Sequence, residues 1–190
     1  MNDLVEIPLN QNLRFVSFDI ENMYSNVPTT DLINIIKFVC SKQNHDDRLT
    51  KELIKMTRII LKQNYFKFQN SFYVQNTGLA MGAPTSSILS EIYLQYVEHT
   101  AIYEVLIRNN TLGYFRYVDD ILIAYNYSIT DIEKVLSSFN SLVPTMKFTM
   151  ENGIDNASNF LDITIQKGNE TLSFYIYIWK PHHDWHYYPK

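Results

Sequence analysis

The stretch Gly113 to Tyr125, GYFRYVDDILIAY, constrains this chain more than any other. Two adjacent carboxylates, Asp119 and Asp120, separate two apolar runs rich in aromatic and β-branched residues. Tyr114 to Val118 and Ile121 to Tyr125 each read as strands, so the acids are expected at the tip of a β-hairpin. Neighbouring carboxylates repel, and apolar flanks on both sides worsen the repulsion. A solvated turn is one solution. A divalent cation is another, because hard cations take oxygen ligands and cancel the charge. The second solution asks for a further carboxylate from elsewhere in the chain.

Asp19 meets that requirement. Leu13 to Ile20, LRFVSFDI, reads as a strand ending in an acid. Pro28, Thr29 and Thr30 mark a helix start, and Leu32, Ile33, Ile35, Ile36, Val39 and Cys40 recur at helical spacing to about residue 42. Ser41 to Arg48 reads as a loop, after which Thr50 is expected to cap a second helix. Tyr65 to Phe68 and Phe72 to Gln75 flank a hairpin turn at Gln69-Asn70-Ser71. The loop GLAMGAPTSS, Gly78 to Ser87, opens a long helix from Ser86 to about Ile107; Pro84 suits its first turn and Gly82 permits close approach of a ligand to the backbone. Thr130 and Glu133 form a capping box for a helix from Asp131 to about Val143. Strands are expected at Met146 to Glu151, Asn159 to Gln166 and Leu172 to Trp179.

With the hairpin at 65–75 set aside as an insertion, the order is β-α-β-β-α-β. The expected fold is therefore α+β and ferredoxin-like (RRM-like), with a four-stranded antiparallel sheet, helices on one face and a C-terminal β-hairpin. Taking the first and second core strands as direct neighbours places Asp19 beside the Asp119-Asp120 tip, and three carboxylates converge at one sheet edge. Such a triad suits two divalent metals and in-line phosphoryl displacement. Mg²⁺ fits, because it binds through a few carboxylates together with substrate phosphates.

Composition limits the alternatives. The chain has 190 residues, 46% of them apolar and 14% aromatic, so it has the makings of a packed globular core. Its formal charge of −4 is not the footprint of a protein that grips nucleic acid by bulk charge. The single cysteine, Cys40, excludes an intramolecular disulfide, fits a reducing compartment, and lies on an apolar helical face. No uncharged apolar run approaches membrane-spanning length.

Five stretches in this order resemble the motifs of reverse transcriptases. FVSFDIENMY, containing Asp19, resembles motif A; GLAMGAPTSSILSEIYL resembles motif B; YVDD at 117–120 resembles motif C; KFTME, from Lys147, resembles motif D; NFLDI, from Asn159, resembles the motif E primer-grip hairpin. The wording is most similar to that of Penelope-like retroelements, including the downstream Trp179-Lys180-Pro181. The resemblance implies a polymerase palm that extends a DNA primer on an RNA template with deoxynucleoside triphosphates and two Mg²⁺ ions, Mn²⁺ being a possible substitute.

Carried over by position, the resemblance makes Asp19, Asp119 and Asp120 catalytic. Asp19 and Asp119 would bridge both metals, Asp120 would ligate less directly, and Ile20 would offer its backbone carbonyl. Tyr24 falls at the steric gate against a ribose 2′-OH; its plainer reading is a core tyrosine, and the two roles are compatible. Ala80, Met81 and Gly82 would form the platform under the templating base and incoming nucleotide, and Tyr117 would pack near the primer end. Lys147 either approaches the triphosphate or is a solvated strand-end lysine. Phe160, Leu161 and Asp162 fall in the primer grip.

Residues 1–190 are thus expected to be a partial reverse transcriptase domain that needs fingers and thumb segments not found in this sequence. Its site of action would be nuclear. The histidine-rich stretch His182 to His186 invites a zinc reading that no cysteine supports. Three alternatives stand beside the leading one. A non-catalytic remnant would act at most as a nucleic-acid or protein-binding module. Tyr24 and YVDD weigh against an RNA-dependent RNA polymerase, and a nucleotide cyclase would not need motifs B and E.

Overall fold

The computed structural model describes Ile7 and residues 10–151, 157–168 and 171–176. Its centre is β1 (Leu13–Glu21), whose alternation divides the core. Val16, Phe18 and Ile20 face one side, where helices α2 (Thr29–Lys42), α4 (Ser86–Val97) and α6 (Ile132–Leu142) cover them. Leu13 and Phe15 face the other side with Leu122, Ala124 and Ile165. Each such buried Val, Leu, Ile or Phe contributes roughly 1.5–3 kcal/mol. Phe139 of α6 meets Phe18 edge-on at 5.8 Å and Phe148 at 5.4 Å, which seats this helix on the sheet.

The sheet runs β4-β5-β1-β6, all antiparallel, with β4 at Thr111–Tyr117, β5 at Asp120–Asn126 and β6 at Lys147–Glu151. This is the expected ferredoxin-like order with helices on one face, but with one correction. The neighbour of β1 is the third core strand, β5, and not the second, β4. The reason lies in burial: Ile121, Leu122, Ile123 and Ala124 are fully buried, as a strand covered on both faces must be, whereas β4 is only half-buried, carries a bulge near Thr111 and lies at the edge.

Three local expectations also change. Helix α3 (Asp47–Lys62) begins three residues before Thr50, whose hydroxyl bonds back to the Asp46 carbonyl (3.2 Å) instead of capping. Helix α6 is capped by Asp131, which accepts from the Lys134 N–H (3.1 Å); the Thr130 hydroxyl is drawn to the Asn109 carbonyl (2.9 Å). The stretch 159–166 is not one strand. Leu161 adopts φ +54°, and the chain reverses there between β7 (Ala157–Phe160) and β8 (Ile163–Lys167). With β9 (Leu172–Ile176) these form a second sheet across the face of β1 away from the helices. The buried Ser158 hydroxyl donates to the Phe15 carbonyl (2.6 Å), and Ser17 donates to the Asn159 carbonyl.

The inserted hairpin, β2 (Tyr65–Phe68) and β3 (Ser71–Val74), turns through Gln69 and Asn70, both left-handed. Helix α4 continues as expected to α5 (Tyr103–Arg108), through a π-helical turn at Glu98–Ile102. Among the described residues no helix is long and apolar enough to cross a membrane. Trp179-Lys180-Pro181 and His182 to His186 lie outside the described residues.

Candidate active site

Asp19 and Asp120 stand directly opposite each other across β1 and β5. Asp119 occupies the two-residue turn between β4 and β5, and its carbonyl accepts the Ile20 N–H (3.2 Å). The three expected acids are therefore neighbours along the backbone at the end of β1 and the β4–β5 turn. Asp19 and Asp120 project on the face away from the helices, because their neighbours Phe18, Ile20 and Ile121 project into the helix-side core. A cleft of about 680 Å³ opens there, lined among others by Ser17, Asp19, Asp120, Glu151, Asn159 and Asp162.

Burial holds the Asp19 carboxyl above its ordinary range, with repulsion from Asp119 and Glu21 adding to the effect. Asp120 is pushed up in the same way, by burial and then by Asp119 and Asp19. Glu151 contributes to both shifts and was not singled out from the sequence. It was findable, since it shares its strand face with Thr149, the residue paired with Asp19. Among the described residues no three His, Cys, Asp or Glu side chains are already drawn close enough to hold one ion. The donor set itself fits a hard cation: oxygen ligands only, partly desolvated and mutually repelling, with ionisation that a bound cation would favour.

The corner that carries Asp119 is braced from inside. Val118, a β-branched residue, has φ +58°, a conformation of order 1–3 kcal/mol above relaxed backbone. Arg116 donates to the Val118 carbonyl (3.1 Å) and is itself held by Glu98 and Glu91 of the α4 helix and its π turn. Its side chain is 7% exposed, that of Glu98 8% and that of Glu91 45%. Burial alone would lower the Arg116 pKa, but the bonds from Glu98 and Glu91 outweigh it and hold the guanidinium firmly charged. The same bond from Arg116 draws the Glu91 carboxyl below its usual range. Tyr114 donates to Glu98 (2.8 Å), and burial together with that carboxylate pushes its phenol well up. None of these network partners was singled out in the sequence, where no local pattern joins Arg116 to residues on a helix so far upstream.

Tyr24 lies in the short helix α1 (Met23–Asn26), entered through a left-handed Asn22. Its carbonyl accepts the Leu79 N–H (2.7 Å), its hydroxyl lies 3.4 Å from the Ser87 hydroxyl, and its half-buried ring packs against the helix-side core. It is not among the residues lining the carboxylate cleft. Gly78, at φ +72°, abuts Ser25 so closely that a Cβ would lie 2.2 Å from the Ser25 carbonyl oxygen. The Asp19 strand end and the 78–87 loop are thus locked together. Beyond the lock, Gly82 has φ +86° with open space where a Cβ would be, Met81 is 77% exposed, and the Ala80 carbonyl accepts from the Ser86 hydroxyl (2.6 Å).

Tyr117 is exposed and pairs with Asp120. It faces Phe160, Leu161 and Phe174 across an apolar pocket of about 420 Å³. Phe160, Leu161 and Asp162 form the β7–β8 turn and border the carboxylate cleft as well. Lys147 sits opposite Glu21 on β1 and is engaged by both its oxygens at 2.9 Å, in a largely exposed ion pair.

Comparisons with known proteins bear on the family and the fold. The family model described as reverse transcriptase (RNA-dependent DNA polymerase) matches residues 5–152. No curated protein sequence matches the chain. Among solved structures, a Candida tropicalis telomerase in complex with a TWJ fragment of telomeric RNA superposes with TM-score 0.66 at 17% identity, covering 98% of this chain and 33% of that one. An apo telomerase from Candida tropicalis, truncated from its C-terminal domain, gives TM-score 0.64 at 18% identity over 92% of this chain and 38% of that one. Telomerase from Candida albicans with a TWJ fragment of telomeric RNA gives TM-score 0.63 at 15% identity over 90% and 32%. At these identities the likeness is one of fold, and the chain spans about a third of those structures.

Proposed function

Because this chain belongs to the reverse transcriptase (RNA-dependent DNA polymerase) family, we propose that it is the palm of an RNA-directed DNA polymerase, adding deoxynucleotides to a primer 3′-OH on an RNA template. The observation that carries this reading is the opposition of Asp19 and Asp120 beside the Asp119 corner, in an acidic cleft bordered by the Phe160–Asp162 turn. The motif wording supports a Penelope-like lineage, and with it a nuclear site of action. RNA as template is supported by the fold shared with telomerases bound to RNA.

In this reading Asp19, Asp119 and Asp120, with the Ile20 carbonyl, hold two Mg²⁺ ions, for which Mn²⁺ can substitute. Ions bound there supply Lewis-acid activation of the attacking hydroxyl and charge neutralisation at the departing pyrophosphate. The chain's own residues do the positioning. Ala80, Met81 and Gly82 offer an open backbone surface for the nascent base pair. Tyr24, anchored through Leu79 and Ser87, limits space at the sugar. Tyr117 and the Phe160–Asp162 turn hold the primer end, and Lys147 can reach a phosphate by leaving Glu21.

The test is primer extension on an RNA template with deoxynucleotides and Mg²⁺, comparing the wild-type chain with Asp119→Asn. Extension that falls by at least about 100-fold in the variant is expected. If the wild type shows neither extension nor a rise in Tm with Mg²⁺ or Mn²⁺, the chain is a non-catalytic module that keeps the palm fold.

A further inference from the structure

Helix α3 carries three distinct faces. Ile54 is buried and Leu61 half-buried against the helix-side core. Lys51, Lys55, Arg58 and Lys62 recur every three or four residues, within an arc of about 60° at 3.6 residues per turn. Leu49, Leu53, Met56 and Ile60 form an exposed apolar stripe on roughly the opposite side from the cations.

The four cations and Lys37 of α2 line a groove of about 670 Å³. Five of the chain's 16 lysines and arginines are thus gathered on one surface of a protein whose formal charge is −4. The groove's one acid is Asp47. Among the described residues none of the five cations is engaged in an ion pair. Concentrating like charges without counter-ions costs free energy unless an anion shares the site.

We infer that this basic groove binds the phosphate backbone of a nucleic-acid strand, at a site separate from the carboxylate cleft. The separation follows from the layers. Helix α3 packs on α2 in the helix layer, and the cleft opens on the other face of the sheet. Lys51 to Lys62 spans about 16 Å along the helix axis, enough to face about five phosphates of one strand. No aromatic side chain lines the groove, so base stacking has no platform and recognition is by backbone charge. Binding is therefore independent of sequence and similar for RNA and DNA. An anionic membrane is a poorer fit, because the basic and apolar faces point nearly opposite ways and cannot both meet one lipid plane. The role goes beyond the polymerase reading: it tethers a strand outside the catalytic cleft.

The test is fluorescence anisotropy with a labelled 12-nucleotide homopolymer, as RNA and as DNA, between 50 and 200 mM KCl. The proteins are the wild type, the quadruple variant Lys51→Gln/Lys55→Gln/Arg58→Gln/Lys62→Gln, and Asp119→Asn. Wild type is expected to show a log K against log salt slope of about −3. The quadruple variant is expected to lose most of that slope and at least about tenfold in affinity at 50 mM salt. Asp119→Asn should bind as wild type whether or not any of the proteins extends a primer, which separates this inference from the polymerase reading. Circular dichroism checks the fold of the quadruple variant. Were it unfolded, the single changes Lys51→Glu and Lys55→Glu are each expected to lower affinity severalfold. Unchanged binding by the folded basic-face variants overturns the inference. So does binding to phosphatidylserine vesicles with none to either oligonucleotide.

Discussion

Arg116 donates to the carbonyl of Val118 at 3.1 Å, so a guanidinium fixed in the interior also holds the corner on which Asp119 is mounted. Through its bonds to Glu91 and Glu98, the same guanidinium joins the helix that follows the glycine loop to the acidic tip of the hairpin. Replacing Arg116 by Ala leaves Glu98 buried without its partner. The expected loss is about 3–5 kcal/mol in urea or guanidinium unfolding. Glu91→Gln, at a half-exposed position, should cost no more than about 1 kcal/mol. Equal costs for the two variants would mean that the network is not organised around Glu98.

The carboxylate cluster makes a signed statement about pH. Asp19 and Asp120 have pKa values raised by folding, so the folded state binds more protons than the unfolded one as pH climbs from the ordinary carboxylate value of 3.8 through the raised values. Their contribution to stability is therefore favourable at the acid end and declines across that window. In metal-free buffer at neutral pH, Asp120→Asn is expected to unfold at a higher temperature than wild type. The advantage should vanish below the unfolded pKa. A variant less stable at every pH would show that burial and repulsion of the carboxylates do not govern stability at the site.

Divalent cations should reverse that balance. With Mn²⁺ or Mg²⁺ at ten times its Kd, the wild type is expected to gain about 1.4 kcal/mol, read as a rise in Tm. Asp19→Asn and Asp119→Asn should show little or no rise. KCl at matched ionic strength distinguishes site binding from general screening.

Two glycines with similar backbone angles should respond differently. Gly78→Ala places a Cβ on the Ser25 carbonyl in a left-handed conformation and is expected to cost more than about 2 kcal/mol. Gly82→Ala meets no atom within 4 Å and should cost only the conformational penalty of about 1–2 kcal/mol. Loss of primer extension without loss of fold is expected for Gly82→Ala, and loss of fold for Gly78→Ala.

The parts of the fold that sequence disclosed are those written in local pattern. The two β-prone runs around Asp119-Asp120, the helical recurrence from Leu32 to Cys40 and the turn at Gln69-Asn70 all lie within a few residues. Asp19 was placed beside the tip because the element order allows few sheet topologies, although the strand beside it proved to be β5. What stayed hidden depends on backbone or partners that composition does not announce. Val118 and Leu161 take left-handed conformations without being glycine or asparagine, so neither the exact corner nor the break within 159–166 could be read. Glu91, Glu98 and Arg116 meet only after β4 folds against the helix. The helix cap moved by one residue because the Thr130 hydroxyl found carbonyls in a distant loop.

The π-helical turn at Glu98–Ile102 sets the phase between two halves of one continuous helix. Such a turn holds one residue more than the α-helical period allows. Because the surplus residue is absorbed there, the two halves keep the phase of a helix one residue shorter, and drawing the turn into regular α-helix without shortening the chain would rotate one half by about 100° against the other. Glu91 and Glu98 could then keep Arg116 only if Ile102, Val105 and Leu106 left the core, or the reverse. One surplus residue thus lets a single helix aim its carboxylates at the support of the acidic hairpin and its apolar side chains at the core.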